Sequence, residues 1–173
     1  MFQEEAKDCK SDDVVCTSSK TNETGKENKD GGNSITAVFV ADISGSMDGV
    51  PINELKSSLI NAGQYINEEN SIGLVSFNSD VYINLPIGKF DLNKRAYFNG
   101  AVNALTALGG TATYDGIAVG VDMLVKAKQT DPDTKLVLFL LSDGKKNSGY
   151  DLDDVKKVLE AYQIPVYSIA YGD

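Results

Sequence analysis

The sequence predicts an α/β fold, a mostly parallel sheet with helices on both faces and one antiparallel edge strand. Three observations carry this. Apolar, β-branched runs alternate along the chain with segments whose apolar residues recur every three or four positions. Two of the runs, ITAVFV (35–40) and LVLFLLS (136–142), are apolar almost throughout, as in strands covered on both faces. One pair, SIGLVSFN (71–78) and VYINLPI (81–87), is too closely spaced for a crossover and reads as a hairpin or bent pair.

The elements follow in order. After the first strand, Ile52, Leu55, Leu59, Ala62 and Ile66 mark an amphipathic helix. The hairpin comes next, its second member an antiparallel edge strand. Residues 93–107 read as a helix with Ala101, Leu105 and Leu108 along one side, ended by Gly109-Gly110. A further helix carries Ile117, Val121, Leu124 and Val125, and LVLFLLS follows it. Asp151, with Asp154 three residues on, reads as the N-cap of a helix through Leu152, Val155, Leu159 and Tyr162. IPVYSIAYG (164–172) is the last strand. The order β-α-β-β-α-α-β-α-β belongs to an open α/β sheet.

Residues 1–33 stand apart as a polar leader. Within them, 17–33 contain no large apolar residue, the composition of a solvated linker. Cys9 and Cys16, the chain's only cysteines, have the wrong spacing for a C-x-x-C site. A small disulfide loop in an exported protein is the favoured reading, against two separate thiols. The Asn22-Glu23-Thr24 sequon matters only in a host that glycosylates.

Composition excludes several functions. A formal charge of −9 argues against a nucleic-acid binder, which would show a basic face. The absence of histidine removes the commonest general base and the commonest zinc ligand. No apolar run approaches the roughly 20 residues of a membrane-spanning helix. Met1-Phe2 leads directly into Gln3-Glu4-Glu5, so no signal peptide is read and the chain is either cytosolic or begins after processing.

Three polar groupings fall where an open α/β sheet binds ligands, beyond the carboxyl ends of its strands. Asp42-Ile43-Ser44-Gly45-Ser46 ends the first strand, and an extended loop with period two would point Asp42, Ser44 and Ser46 the same way. Gly109-Gly110-Thr111 delivers Thr111 to the start of a helix, and Ser142-Asp143-Gly144 ends LVLFLLS. Asp42, Ser44, Ser46, Thr111 and Asp143 together offer two carboxylates and three hydroxyls, hard oxygen donors suited to Mg2+, or to Mn2+ or Ca2+, and poor for zinc or copper. Two aspartates balance a divalent charge, so the ion would stay electrophilic toward an incoming carboxylate.

DISGSM, the GGT turn and LLSDG resemble the metal-ion-dependent adhesion site of the von Willebrand factor A family, to which integrin inserted domains belong. D-x-S-x-S is matched at Asp42, Ser44 and Ser46, the family's threonine at Thr111 and its strand-end aspartate at Asp143. The resemblance covers 34–173. It implies a six-stranded, Rossmann-like, doubly wound sheet with the metal on its upper face. It further implies a protein partner that donates a Glu or Asp to the ion. In that pattern Ser44 and Ser46 contact the metal directly, while Asp42, Thr111 and Asp143 bind directly or through water. The chain stops at Tyr171-Gly172-Asp173, where the family usually continues with a helix, a strand and a helix. The domain is therefore expected to be C-terminally truncated, or to take an edge strand from elsewhere.

The expected function is a metal-dependent, adhesion-type protein-binding module, secreted or on a cell surface, with a cytoplasmic location kept open. The alternative is an intracellular assembly module working with an ATPase. An enzyme, such as a magnesium-dependent phosphatase, is disfavoured. A haloacid-dehalogenase-type site would want aspartate at position 44, and no Gly-rich lysine motif cradles phosphate. Near the site, Asp48 is read as the acidic entrance of the next helix rather than a second metal ligand. Thr113 either caps the following helix or bonds to the metal shell. Lys145 and Lys146 read as a solvated loop, Tyr114 and Tyr150 as possible partner contacts, and Gly116 and Gly120 as close-packing positions.

Overall fold

The computed structural model describes residues 34–143 and 153–172. The leader with Cys9 and Cys16, and the positions of Gly144, Lys145, Lys146, Tyr150 and Asp151, lie outside the described residues. Five strands, β1 (Ile35–Asp42), β2 (Ser71–Phe77), β3 (Val81–Lys89), β4 (Lys135–Ser142) and β5 (Val166–Ala170), form one sheet in the order β3-β2-β1-β4-β5. β1 pairs in parallel with β2 and β4, and β4 with β5. Only β3 runs antiparallel, paired with β2 through a register shift around Leu74. The α/β class, the mostly parallel sheet and the antiparallel edge are thus as expected. Pro86 sits in β3, an edge position where a missing N–H costs no ladder bond.

Helices α1 (Val50–Gly63), α2 (Leu92–Asn103), α3 (Thr113–Thr130) and α4 (Asp153–Ala161) cover the two faces. Alternation along β1 sends Ala37, Phe39 and Ala41 to one core with Leu55 and Leu59 of α1 and Phe98 and Val102 of α2. Val38 and Val40 go to the other, with Ile117, Val121 and Leu124 of α3 and Val155 of α4. Phe39, Phe139 and Tyr167 stack across three neighbouring strands at centroid distances of 5.2 and 5.5 Å. On the opposite face α3 lies close to the sheet. A Cβ on Gly116 would stand 2.7 Å from the Phe77 ring, and one on Gly120 would stand 2.9 Å from Val40 Cγ2. The close-packing reading of those two glycines is therefore correct.

Several element boundaries differ from expectation. α1 ends at Gly63, so Ile66 joins the core from the segment beyond it, and α4 ends at Ala161, one residue before Tyr162. α2 stops at Asn103, not 107, with the Ala104 and Leu105 amides bonded back to Gly100 and Val102. Leu105 is buried from an irregular segment and Leu108 is 71% exposed, so the helical spacing of those leucines was coincidental. β5 is shorter than the apolar run 164–172, because Ile164 packs in the core ahead of the strand and Tyr171 after it.

Candidate metal centre

β1 carries its ladder to its last residue, Asp42, opposite Phe77, and the Ile43 N–H adds one more bond to the Phe77 carbonyl at 2.8 Å. The chain then tightens. Ser44 is extended and Gly45–Met47 form a 3-10 turn that drops Met47 into the core. The loop therefore does not continue with period two as expected. The turn instead brings the Ser46 hydroxyl back to within 3.1 Å of the Ser44 hydroxyl. Asp42 and Ser44 are each 1% exposed, while Ser46 is exposed at the surface.

Asp42 organises this corner. Its Oδ1 accepts from the Ser44 N–H at 2.9 Å, an Asx turn. Its Oδ2 accepts from the Ser142 hydroxyl at 2.8 Å, across 100 residues of sequence. No Lys or Arg among the described residues pairs with it, and the ion pair of α3, Lys126–Asp122, lies elsewhere. A buried carboxylate held by neutral donors alone is costly unless a cation completes its surroundings.

The other groupings meet the same corner. Ser142 ends β4, the strand beside β1, and Asp143 follows it half-buried. Sequence neighbours of β1 lie on one side of it (β2) and those of β4 on the other (β5), so the β1–β4 crevice is the switch point of the sheet. The 104–112 segment closes the third side. The Leu108 N–H donates to the Ile43 carbonyl and the Gly45 N–H to the Gly109 carbonyl, each at 2.9 Å. Gly109 has φ +85°, a left-handed conformation that suits glycine. Thr111 follows in this segment, exposed, one residue before the α3 cap Ala112, and the helix begins at Thr113.

The structure thus joins Asp42, Ser44 and Ser46 by hydrogen bonds and places Asp143 next to Asp42's partner Ser142. It ties the Thr111 segment to the same loop through Gly109. Sequence reasoning missed Ser142 as Asp42's anchor. It also missed the β2–β3 turn, where the Ser79 hydroxyl accepts from the Gly110 N–H at 2.8 Å and the Asn78 carbonyl from the Ala112 N–H at 2.6 Å. The signal was available, since Asn78 and Ser79 lie at the carboxyl end of β2. Asp48 does not enter α1, which begins at Val50 with Gly49 in the cap position. Thr113 is the first helical residue of α3 rather than its cap, and that cap, Ala112, makes no side-chain bond. Tyr114 is half-buried against the α3 core.

The donor set fits a small divalent cation. Adjacent ligands of an octahedral Mg2+ bonded at about 2.0–2.1 Å stand about 2.9 Å apart, and the Ser44 and Ser46 hydroxyls stand 3.1 Å apart. Among the described residues no three Asp, Glu or Cys side chains gather, so such an ion would be held by hydroxyls as much as by carboxylates. A cleft of about 580 Å³ lies at the other end of the sheet between β3 and α3, and shares no residue with this site.

The model of the von Willebrand factor type A domain matches residues 37–173. A protein of Synechocystis sp. is 31% identical over 138 residues, covering 78% of this chain and 31% of its own length. Inter-alpha-trypsin inhibitor heavy chain H1 of Mesocricetus auratus is 27% identical over 147 residues, 78% of this chain and 16% of that one. The chain therefore spans less than a third of these relatives. Among solved structures, a von Willebrand factor type A structure from Catenulispora acidiphila superposes with TM-score 0.66 at 22% identity, covering 78% of this chain and 32% of that one. BatB from Bacteroides thetaiotaomicron gives 0.66 at 16% identity, covering 79% and 66%. At those identities the likeness establishes the fold.

Proposed function

The chain belongs to the von Willebrand factor type A domain family, and from that premise we propose that it is a metal-dependent protein-binding module. The corner at Asp42 holds a divalent cation, Mg2+ or alternatively Mn2+ or Ca2+, which coordinates a Glu or Asp of a partner. Its residues would be Ser44 and Ser46 in direct contact, with Asp42, Thr111 and Asp143 as direct or water-bridged ligands. The cation would supply an electrophile left partly open to an outside carboxylate. The chain's own residues shape that opening. Asp42 fixes the Ser44 amide, Ser142 fixes Asp42, and the Gly45–Gly109 bond draws the Thr111 segment alongside.

One observation carries this reading: Asp42 is buried at 1% exposure, each of its oxygens accepts one bond from a neutral donor, and no Lys or Arg among the described residues pairs with it. Binding is favoured over catalysis because the chain has no histidine and places serine two residues after Asp42. Family members commonly mediate protein contacts, which supports the same choice. No helix among the described residues is long and apolar enough to cross a membrane. A secreted or surface location is proposed on the cysteine pair of the leader.

Calorimetric titration of chelator-stripped protein with Mg2+ and Mn2+ tests the site. Saturable one-to-one binding is expected, lost in Asp42→Ala and in Asp143→Ala. Binding that survives both substitutions would refute the assignment. A partner retained equally well in chelator would refute metal-mediated recognition.

A further inference from the structure

The rim of the metal corner is a chain of backbone and side-chain hydrogen bonds that carries one exposed leucine and two exposed aspartates. Gly45 sits at its middle. Its carbonyl accepts from the Asp48 N–H at 3.1 Å on one side, and its N–H donates to Gly109 on the other. Gly110 then bonds to Ser79, next to Asp80 at the tip of the β2–β3 turn. Asp48 and Asp80 are both exposed. Leu108, the residue before Gly109, is 71% exposed, although Ile43 and Met47 of the adjoining loop are 6% and 0% exposed.

A single exposed leucine is ordinary on a protein surface. Leu108 differs in how it is held. Its own N–H is bonded to Ile43 and the next residue's carbonyl to Gly45, so two bonds fix its backbone to the loop that carries Ser44 and Ser46. An apolar side chain positioned before binding loses little conformational freedom when it is covered. The exposed Asp48 and Asp80, joined to this strip through Gly45 and Ser79, favour a basic group on a partner.

We infer that the partner segment carries one carboxylate for the metal, an apolar side chain beside it that covers Leu108, and a Lys or Arg that meets Asp48 or Asp80. This rests on the metal-binding reading above and adds to it the class of sequence that the site selects.

Phage-displayed random peptides panned on the full chain in Mn2+ and eluted with chelator provide the test. Enriched peptides are expected to combine one Glu or Asp with a nearby Leu, Ile, Met or Phe and a basic residue. A synthetic peptide of that sequence should bind Leu108→Ser at least about tenfold more weakly, the scale of one apolar side chain covered. Leu108→Ser should keep the wild-type Mn2+ titration, which shows that the corner is intact. Asp80→Asn should weaken the same peptide by a few-fold, with the difference vanishing at high salt. Chelator-eluted peptides without apolar or basic preference, or equal affinity for Leu108→Ser, would overturn the inference while leaving the metal reading standing. Peptides that resist chelator, or no enrichment over Asp143→Ala, would overturn both.

Discussion

Each end of the sheet carries hydroxyls beside a carboxylate, and the two clusters are built differently. At the amino-terminal end, Thr36 and Thr134 share a bond at 2.7 Å, Thr134 donates to the Ser34 carbonyl at 3.1 Å, and Ser34 reaches Asp131 at 3.4 Å. The Lys128 ammonium closes the group on the Thr134 carbonyl at 2.6 Å. Thr36 and Thr134 are buried, and their hydroxyls are consumed within the protein. At the carboxyl end the same residue types leave Ser46 and Thr111 exposed, bring two aspartates to neighbouring strand ends, and pair Asp42 with no described cation. The amino-terminal cluster is complete in itself, whereas at the carboxyl-terminal one the buried Asp42 meets no Lys or Arg among the described residues. Satisfied polar groups secure the fold, whereas a buried carboxylate such as Asp42, held by neutral donors alone among the described residues, favours a cation beside it.

That difference can be broken experimentally, starting with the largest effect. Mg2+ at one hundred times its dissociation constant should raise unfolding stability by about 2.7 kcal/mol. Asp42→Ala should cancel the gain, as denaturant titration with and without metal would show. A gain that persists in Asp42→Ala would place the ion elsewhere. Ser142→Ala comes next. It frees one oxygen of Asp42 and should weaken metal affinity by about tenfold, the low end for a residue that orients a ligand. Ser142→Thr should restore it, and calorimetry reads both. Thr134→Val is the smallest and cuts the other way. Losing its hydroxyl bonds should cost about 1 kcal/mol of stability and leave metal affinity unchanged.

How far the site was legible from sequence follows from the range of each interaction. Asp42, Ser44 and Ser46 announce themselves because they interrupt a buried strand within five residues, and Asp143 does the same at the end of β4. What joins them is not local. Ser142 reaches Asp42 across 100 positions, and the Ser79–Gly110 bond spans 31, so neither leaves a periodic trace. The extent of α2 was misjudged because Ala101, Leu105 and Leu108 keep a helical spacing after the backbone has left the helix. Burial explains the overlap. Leu105 is drawn into the α1–α2 core from irregular backbone, so apolar spacing there records the core and not the helix. The same error hid Leu108 as a helix-face residue, when it is an exposed leucine bonded through its N–H to Ile43 of the Asp42 loop. The sheet was easier to read, since the largely buried β1 and β4 and the short β2–β3 connection leave few alternatives.

The contrast between the two ends also gives the most direct test. β1 has eight residues and spans about 26 Å, so a paramagnetic ion at one end acts unequally on the two clusters. With Mn2+ added in substoichiometric amounts to isotope-labelled, chelator-stripped protein, amide signals of residues 42–46 and 109–111 should broaden first. Those of Ser34, Thr36 and Thr134 should stay sharp, and Asp143→Ala should abolish the effect. Broadening centred on residues 131–134, or an undiminished effect in Asp143→Ala, would contradict a metal centre at the carboxyl end of the sheet.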